Sequence, residues 1–184
     1  VNLDEQRHRY RALDNWFKTP AGIQLGQAFL NQLSDFQHHL HPDILLQLGA
    51  CGDNACLSQH HFQRTWLCTP CFNTSRTTLI ASPKHLPLHR DSVDVIVAPL
   101  TLEVFGQDRT PLDEIDRVLS PMGHVVFLGI NPLSLWGLSL ACHRLDALGR
   151  AGMMPHSPWI LKRAFLNRGY QQKRFEMFYY LPPF

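Results

Sequence analysis

Apolar residues in this chain fall into short dense runs separated by amphipathic stretches. Ile44-Leu45-Leu46-Gln47-Leu48 runs directly into Gly49-Ala50-Cys51-Gly52-Asp53, which predicts a buried strand entering a tight turn. Gly49 and Gly52 supply the positive φ such a turn needs and leave no Cβ between the backbone and an approaching ligand. SVDVIVAPL over 92–100 and HVVFLGI over 124–130 predict two more strands buried on both faces, as in a parallel sheet. Further strands are expected over 64–69, 77–81 and 175–180.

Between these runs the period changes to that of helices. Residues 4–17 are polar with scattered aromatics (Tyr10, Trp16, Phe17), and Thr19-Pro20 is a hydroxyl cap followed by proline at a first helical position. Leu25, Phe29, Leu33, Phe36 and Leu40 then mark one apolar stripe. A short helix is expected over 54–63. Thr110-Pro111 repeats the cap-and-proline start ahead of Leu112, Ile115, Val118 and Leu119, with Asp113 and Glu114 in the first turn. Ser120-Pro121-Met122-Gly123 reads as a turn, and helices are expected over 134–148 and 158–167, the latter stopped by Gly169. The alternation predicts one α/β domain with a mostly parallel, doubly wound sheet, residues 1–41 forming a helical cap and 42–184 the core.

Composition narrows the class. The 184 residues are 45% hydrophobic but only 17% charged, so some apolar surface is expected to meet a ligand, a partner or further chain. A net charge of +2 with no Lys/Arg block gives no nucleic-acid signal. No apolar run reaches bilayer length, and the first residues do not resemble a signal peptide. Five cysteines, an odd number in a chain large enough to need no staples, point to a reduced, cytoplasmic protein.

The order of parts then brings a family into view. The leucine-rich strand and glycine turn are followed by Leu86-Pro87-Leu88, Asp91-Ser92-Val93-Asp94-Val95-Ile96-Val97, Leu102-Glu103, and Leu112-Asp113-Glu114-Ile115-Asp116-Arg117-Val118-Leu119-Ser120-Pro121-Met122-Gly123. Over 43–131 this resembles the class I S-adenosylmethionine-dependent methyltransferases, with their Rossmann-like fold and their pattern LPF…SFDVV…L…E..RVLKPGG. WFKTPAG over 16–22 and GINPLSLWG over 129–137 look like a subgroup of bacterial methyltransferase-like proteins of unassigned substrate.

The resemblance implies S-adenosylmethionine as cofactor and says where it would lie. Its methionine part would rest on the turn Gly49, Ala50, Cys51 and Gly52, with Gln47 beneath in the strand. The ribose would face Cys68 and Thr69, and the adenine would sit among Ser82, Pro83, Lys84, His85 and Leu86. Pro99, Leu100 and Thr101 would lie under the reacting methyl group. Glu103 is the general-base candidate, with a plain helix-start carboxylate as its structural reading, and Asn131 and Trp136 could line an acceptor pocket under a lid of Tyr10 and Trp16. Core packing is the structural reading of both tryptophans.

Three departures bear on function. Gln47 stands where the family carries an acid in the first strand. Trp66-Leu67-Cys68-Thr69-Pro70-Cys71 holds no carboxylate for the ribose hydroxyls, a loss of roughly 1.5–3 kcal/mol. Ser82 replaces the acid that often meets the adenine amino group, and the G-x-G-x-G spacing has become Gly49, Cys51, Asp53. Two function classes follow: methyl transfer to an unidentified small-molecule or macromolecular acceptor, or a degenerate methyltransferase fold serving as a non-catalytic binding or scaffolding module.

Cys68-x-x-Cys71 near Cys51 and Cys56 raises a metal or redox site, but the spacing is poor and no metal is expected. His38, His39, His41, His60 and His61 lack helical ligand spacing. After the fifth strand only one further strand is expected, so the C-terminal pair typical of the family is incomplete: either the natural chain continues past 184 or the sheet is truncated. The aromatics Phe175, Phe178, Tyr179, Tyr180 and Phe184 make a homodimer an option.

Overall fold

The structure is a computed structural model and describes residues 1–37, 43–52, 54, 57, 62–71, 77–141 and 148–179. Helices α1 (Leu3–Phe17) and α2 (Pro20–Gln37) precede strands β1 (Ile44–Leu48), β2 (Arg64–Thr69), β3 (Leu79–Ile80) and β4 (Val93–Pro99). Then come α3 (Thr101–Phe105), α4 (Thr110–Val118), β5 (Leu119–Leu128), α5 (Leu135–Ala141) and α6 (Pro158–Leu166). The strands form one all-parallel sheet in the order β3-β2-β1-β4-β5.

Burial alternates across that sheet. Leu45, Val95 and Val97 face a layer built from α1, α2 and α5, while Leu46, Leu48, Ile96 and Ala98 face Ile115 and Val118 of α4. The central strands β1 and β4 are therefore buried on both sides, which is why the sequence shows dense apolar runs there.

The helix starts follow local chemistry. The Asn2 side chain accepts from the Glu5 amide and caps α1. At the α1–α2 corner the Thr19 hydroxyl donates to the Trp16 carbonyl at 2.6 Å and accepts from the Gly22 amide. An added Cβ at Gly22 would lie 2.2 Å from the Trp16 oxygen, so only glycine allows so close a corner. At α4 the N-cap position is Arg109 rather than Thr110, and Asp108 before it accepts from both the amide and the hydroxyl of Thr110.

Several expectations are corrected. The third strand contracts from 77–81 to Leu79–Ile80. Ser120–Gly123 is no turn: β5 runs through it, and Val93 pairs with Leu119 while Val95 pairs with His124, so extra residues bulge out of the ladder. Residues 175–179 form no strand, because their aromatics pack as side chains: Tyr179 tilts against Trp136 at 5.9 Å and Phe175 against Trp159 at 6.5 Å. Helix α5 is described over Leu135–Ala141, residues 142–147 lie outside the described residues, and Leu148 lies in a turn. Most of the helix expected over 54–63, and Tyr180 and Phe184, lie outside the described residues.

Candidate functional site

The sheet order reverses between β1 and β4, and in an open parallel sheet the crevice outside the strand ends at such a point is where ligands bind. The glycine turn after β1 sits there. Gly49 has φ of +87° and donates to the Cys68 carbonyl, tying the turn to β2. Gln47 is fully buried, and its amide donates to the Gly49 carbonyl at 2.7 Å and to Asn54 Oδ1 at 2.8 Å. The Cys51 amide donates to the same Asn54 oxygen. Gln47 therefore braces the turn from beneath, and Asn54, which the sequence reading passed over, is its partner.

Helix α1 crosses the mouth of this crevice. Tyr10 is 2% exposed, and a Cβ added to Gly49 would lie 2.7 Å from Tyr10 Cε1, so the ring rests on the glycine. The Tyr10 hydroxyl, beside Thr101, makes no hydrogen bond, and burial raises its ionisation well above the ordinary phenol range. Thr101 spends its own hydroxyl on the Leu48 carbonyl at 2.7 Å, joining the ends of β1 and β4. Pro99 and Leu100 are buried beside them, as is Thr69 at the end of β2.

Along the same helix the crevice is open. A groove of about 490 Å³ runs at the ends of β2 and β3, walled by Gln6, Arg7, Pro70, Ser82, Lys84 and His85. Ser82 donates to Gln6 Oε1 at 2.6 Å, and the Lys84 amide donates to the Ser82 hydroxyl. Pro83 and Leu86 are buried behind it. The Leu86 amide donates to Glu114, and Arg117 holds Glu114 and the Leu86 and Leu88 carbonyls, which fixes the Leu-Pro-Leu loop. Lys84 pairs with Asp108 at 2.8 Å. Burial opposes ionisation of Asp108, but hydrogen bonds from Lys84 and Thr110 hold its carboxyl well below the usual carboxylate range.

Glu103 is 1% exposed and is not a solvated helix-start carboxylate. Oε1 accepts from the Ile130 amide at 3.0 Å, just past β5, while Oε2 has no partner. Burial raises this carboxyl to about 7, against the hydrogen bonds and the charge of nearby His156. Asn131 sets a turn, its side chain accepting from Leu133 and its carbonyl from Ser134. Trp136 packs edge-on to Trp16 at 5.7 Å, in the core, so neither is an open lid. A smaller cavity of about 240 Å³ lies between Leu102, Arg109, Pro132, His156 and Leu161.

The cysteines behave as core residues. Burial pushes the Cys68 thiol up to about 12, and it donates to the Ala81 carbonyl; Cys71 donates to the Arg7 carbonyl. Cys68 and Cys51 belong to apolar clusters on opposite sides of the sheet. Among the described residues no group of His, Cys, Asp or Glu could hold a metal ion. Cys56 and the paired histidines lie outside those residues.

Residues 57–127 match a family described as a methyltransferase domain. The fold is similar to that of an S-adenosylmethionine-dependent methyltransferase of Thermotoga maritima, with a TM-score of 0.67 at 16% identity over 91% of this chain and 82% of that one. The five-stranded parallel sheet of this chain is thus a Rossmann-like fold of the kind found in such methyltransferases. A similar fold occurs in the YcgJ protein of Bacillus subtilis, with a TM-score of 0.58 at 17% identity over 76% of this chain and 66% of that one. Among curated proteins, YafS of Escherichia coli K12 is 30% identical over 131 residues, 69% of this chain and 52% of YafS. The chain thus spans about half the length of that relative.

The match of residues 57–127 to a methyltransferase domain implies S-adenosylmethionine as cofactor. The residues present fit its two ends unequally. The groove beside Ser82 and Lys84 is open, whereas Tyr10 covers Gly49 at the start of the glycine turn, and no carboxylate stands at the end of β2. No helix among the described residues is long and apolar enough to cross a membrane.

Proposed function

We propose that this domain is an S-adenosylmethionine-dependent methyltransferase with an acceptor still to be identified. The observation that carries the reading is the braced glycine turn at the switch point between β1 and β4, flanked by an open groove, in a chain whose central segment matches a methyltransferase domain. In this reading the groove residues Ser82, Lys84 and His85, with Pro83 and Leu86 behind, take the adenine, and Thr69 is the ribose contact. Gly49, Ala50, Cys51 and Gly52, braced by Gln47, receive the methionine part, and Pro99 and Leu100 floor the reacting end.

The cofactor supplies an activated methyl group. The chain's share is alignment of the acceptor and, for a protic acceptor, removal of a proton. Glu103 suits that task, since a buried carboxyl near 7 with one unpaired oxygen is poised to accept a proton near neutral pH. The match to a methyltransferase domain weighs this reading above the non-catalytic module that the missing acids raise. The buried thiols of Cys68 and Cys71 suit a reducing compartment such as the cytoplasm.

Calorimetric titration with S-adenosylmethionine and S-adenosylhomocysteine tests the reading. A saturable heat of binding is expected for both; silence at millimolar ligand rejects it.

A further inference from the structure

Tyr10 divides the crevice into two unequal halves. At one end its ring lies on Gly49, the residue whose bare backbone a ligand would have to approach, and the hydroxyl is sealed in with no hydrogen-bond partner. At the other end, on the same side of α1, the groove of about 490 Å³ is open along Gln6, Arg7, Pro70, Ser82, Lys84 and His85, and neither Gly49 nor Leu100 forms its wall. The helix carrying Tyr10 is fastened at both places. Gln6 and Arg7 reach Ser82 and the Pro70 carbonyl, and Arg9 donates to the Val104 carbonyl at 2.5 Å.

We infer that Tyr10 is the specificity gate of the crevice: with its ring on Gly49 the domain admits purine nucleosides without an amino-acid tail, and ligands bearing the tail bind only when the ring leaves. The inference rests on the cofactor reading above and deepens it by assigning the closed form its own ligand class. The chemistry of the groove agrees. Gln6 and Ser82, bonded to each other, keep amide and hydroxyl capacity that suits the hydrogen-bonding edge of a base, and His85 offers an exposed ring at its rim. The amino-acid tail would instead need to approach the backbone of Gly49, which Tyr10 covers. A binding-competent form that is only partly populated lowers the apparent affinity by its fraction, so a tailed ligand bears that cost and a tailless one does not.

The test compares methylthioadenosine, which lacks the tail, with S-adenosylhomocysteine, which carries it, by calorimetry on the wild-type chain and two variants. The wild type is expected to bind methylthioadenosine at least as tightly as S-adenosylhomocysteine. Tyr10→Ala is expected to tighten S-adenosylhomocysteine about tenfold and leave methylthioadenosine unchanged. Tyr10→Phe keeps the ring and therefore the wild-type pattern. A wild type that prefers S-adenosylhomocysteine by about tenfold or more overturns the gate while leaving the cofactor reading standing. So does a folded Tyr10→Ala chain in which S-adenosylhomocysteine binds more weakly. Failure of every chain to bind either ligand removes both. The wild-type comparison needs no variant to fold.

Discussion

Two buried side chains carry most of the testable chemistry. Glu103 has a folded-state pKa of about 7 against 4.5 unfolded, so the folded protein holds a proton that the unfolded chain has already released between those values. Stability therefore falls as pH rises through that window and levels off above it, a loss on the order of 3 kcal/mol. Glu103→Gln keeps an oxygen for the Ile130 amide and removes the titration. Urea melts at about pH 5 and about pH 8 are expected to differ for the wild type and nearly coincide for the variant. Gly49→Ala tests the contact with Tyr10: a side chain at φ +87° meeting a ring at 2.7 Å is expected to cost about 1–3 kcal/mol, read as a lower Tm. Adding Tyr10→Ala to that variant relieves the collision but not the backbone strain, so recovery is expected to be partial.

Among the elements, Asp94 of β4 does the joining. Its carboxylate accepts from the Asp43 and Ile44 amides at 3.1 and 3.0 Å, where β1 begins, and from the Ser120 hydroxyl in β5. Asp94→Ala is expected to cost about 1–3 kcal/mol in denaturant melts, because the amides lose their acceptor at a partly buried strand start. The strands were legible where burial on both faces produced an apolar run, as in β1 and β4, and β5 was legible from His124 onward. Its earlier start at Leu119 was not, since Pro121-Met122-Gly123 has turn chemistry that the sheet absorbs as a bulge. The aromatic run at 175–179 had strand composition, yet its rings found partners in Trp136 and Trp159 instead of a ladder. For the site, the glycine turn could be read directly, but the seat of Tyr10 could not, because it depends on how α1 crosses the sheet. The spacing Gln6, Tyr10, Leu13, Phe17 was the available signal, an inward stripe hidden among polar neighbours.

For the whole molecule, binding and stability are one equilibrium. A ligand taken up by the folded chain alone adds stability in proportion to the logarithm of its excess, about 2.7 kcal/mol at a hundred times Kd. A thermal-shift series with methylthioadenosine is therefore expected to raise Tm steadily, with the bracing around Asn54 and Gln47 unchanged. A flat Tm across the series would contradict binding in the groove beside Ser82.

The corner between α1 and α2 governs how that crevice can work. Trp16 is clamped there by the Thr19 hydroxyl, crowded by Gly22 and wedged against Trp136, so the two helices move as one stiff bracket. A bracket of this kind cannot swing like a door. If the gate operates, a ring so placed is expected to leave its seat by turning about its own side-chain bonds, so that admission waits on a buried rotamer rather than on the hinging of domains.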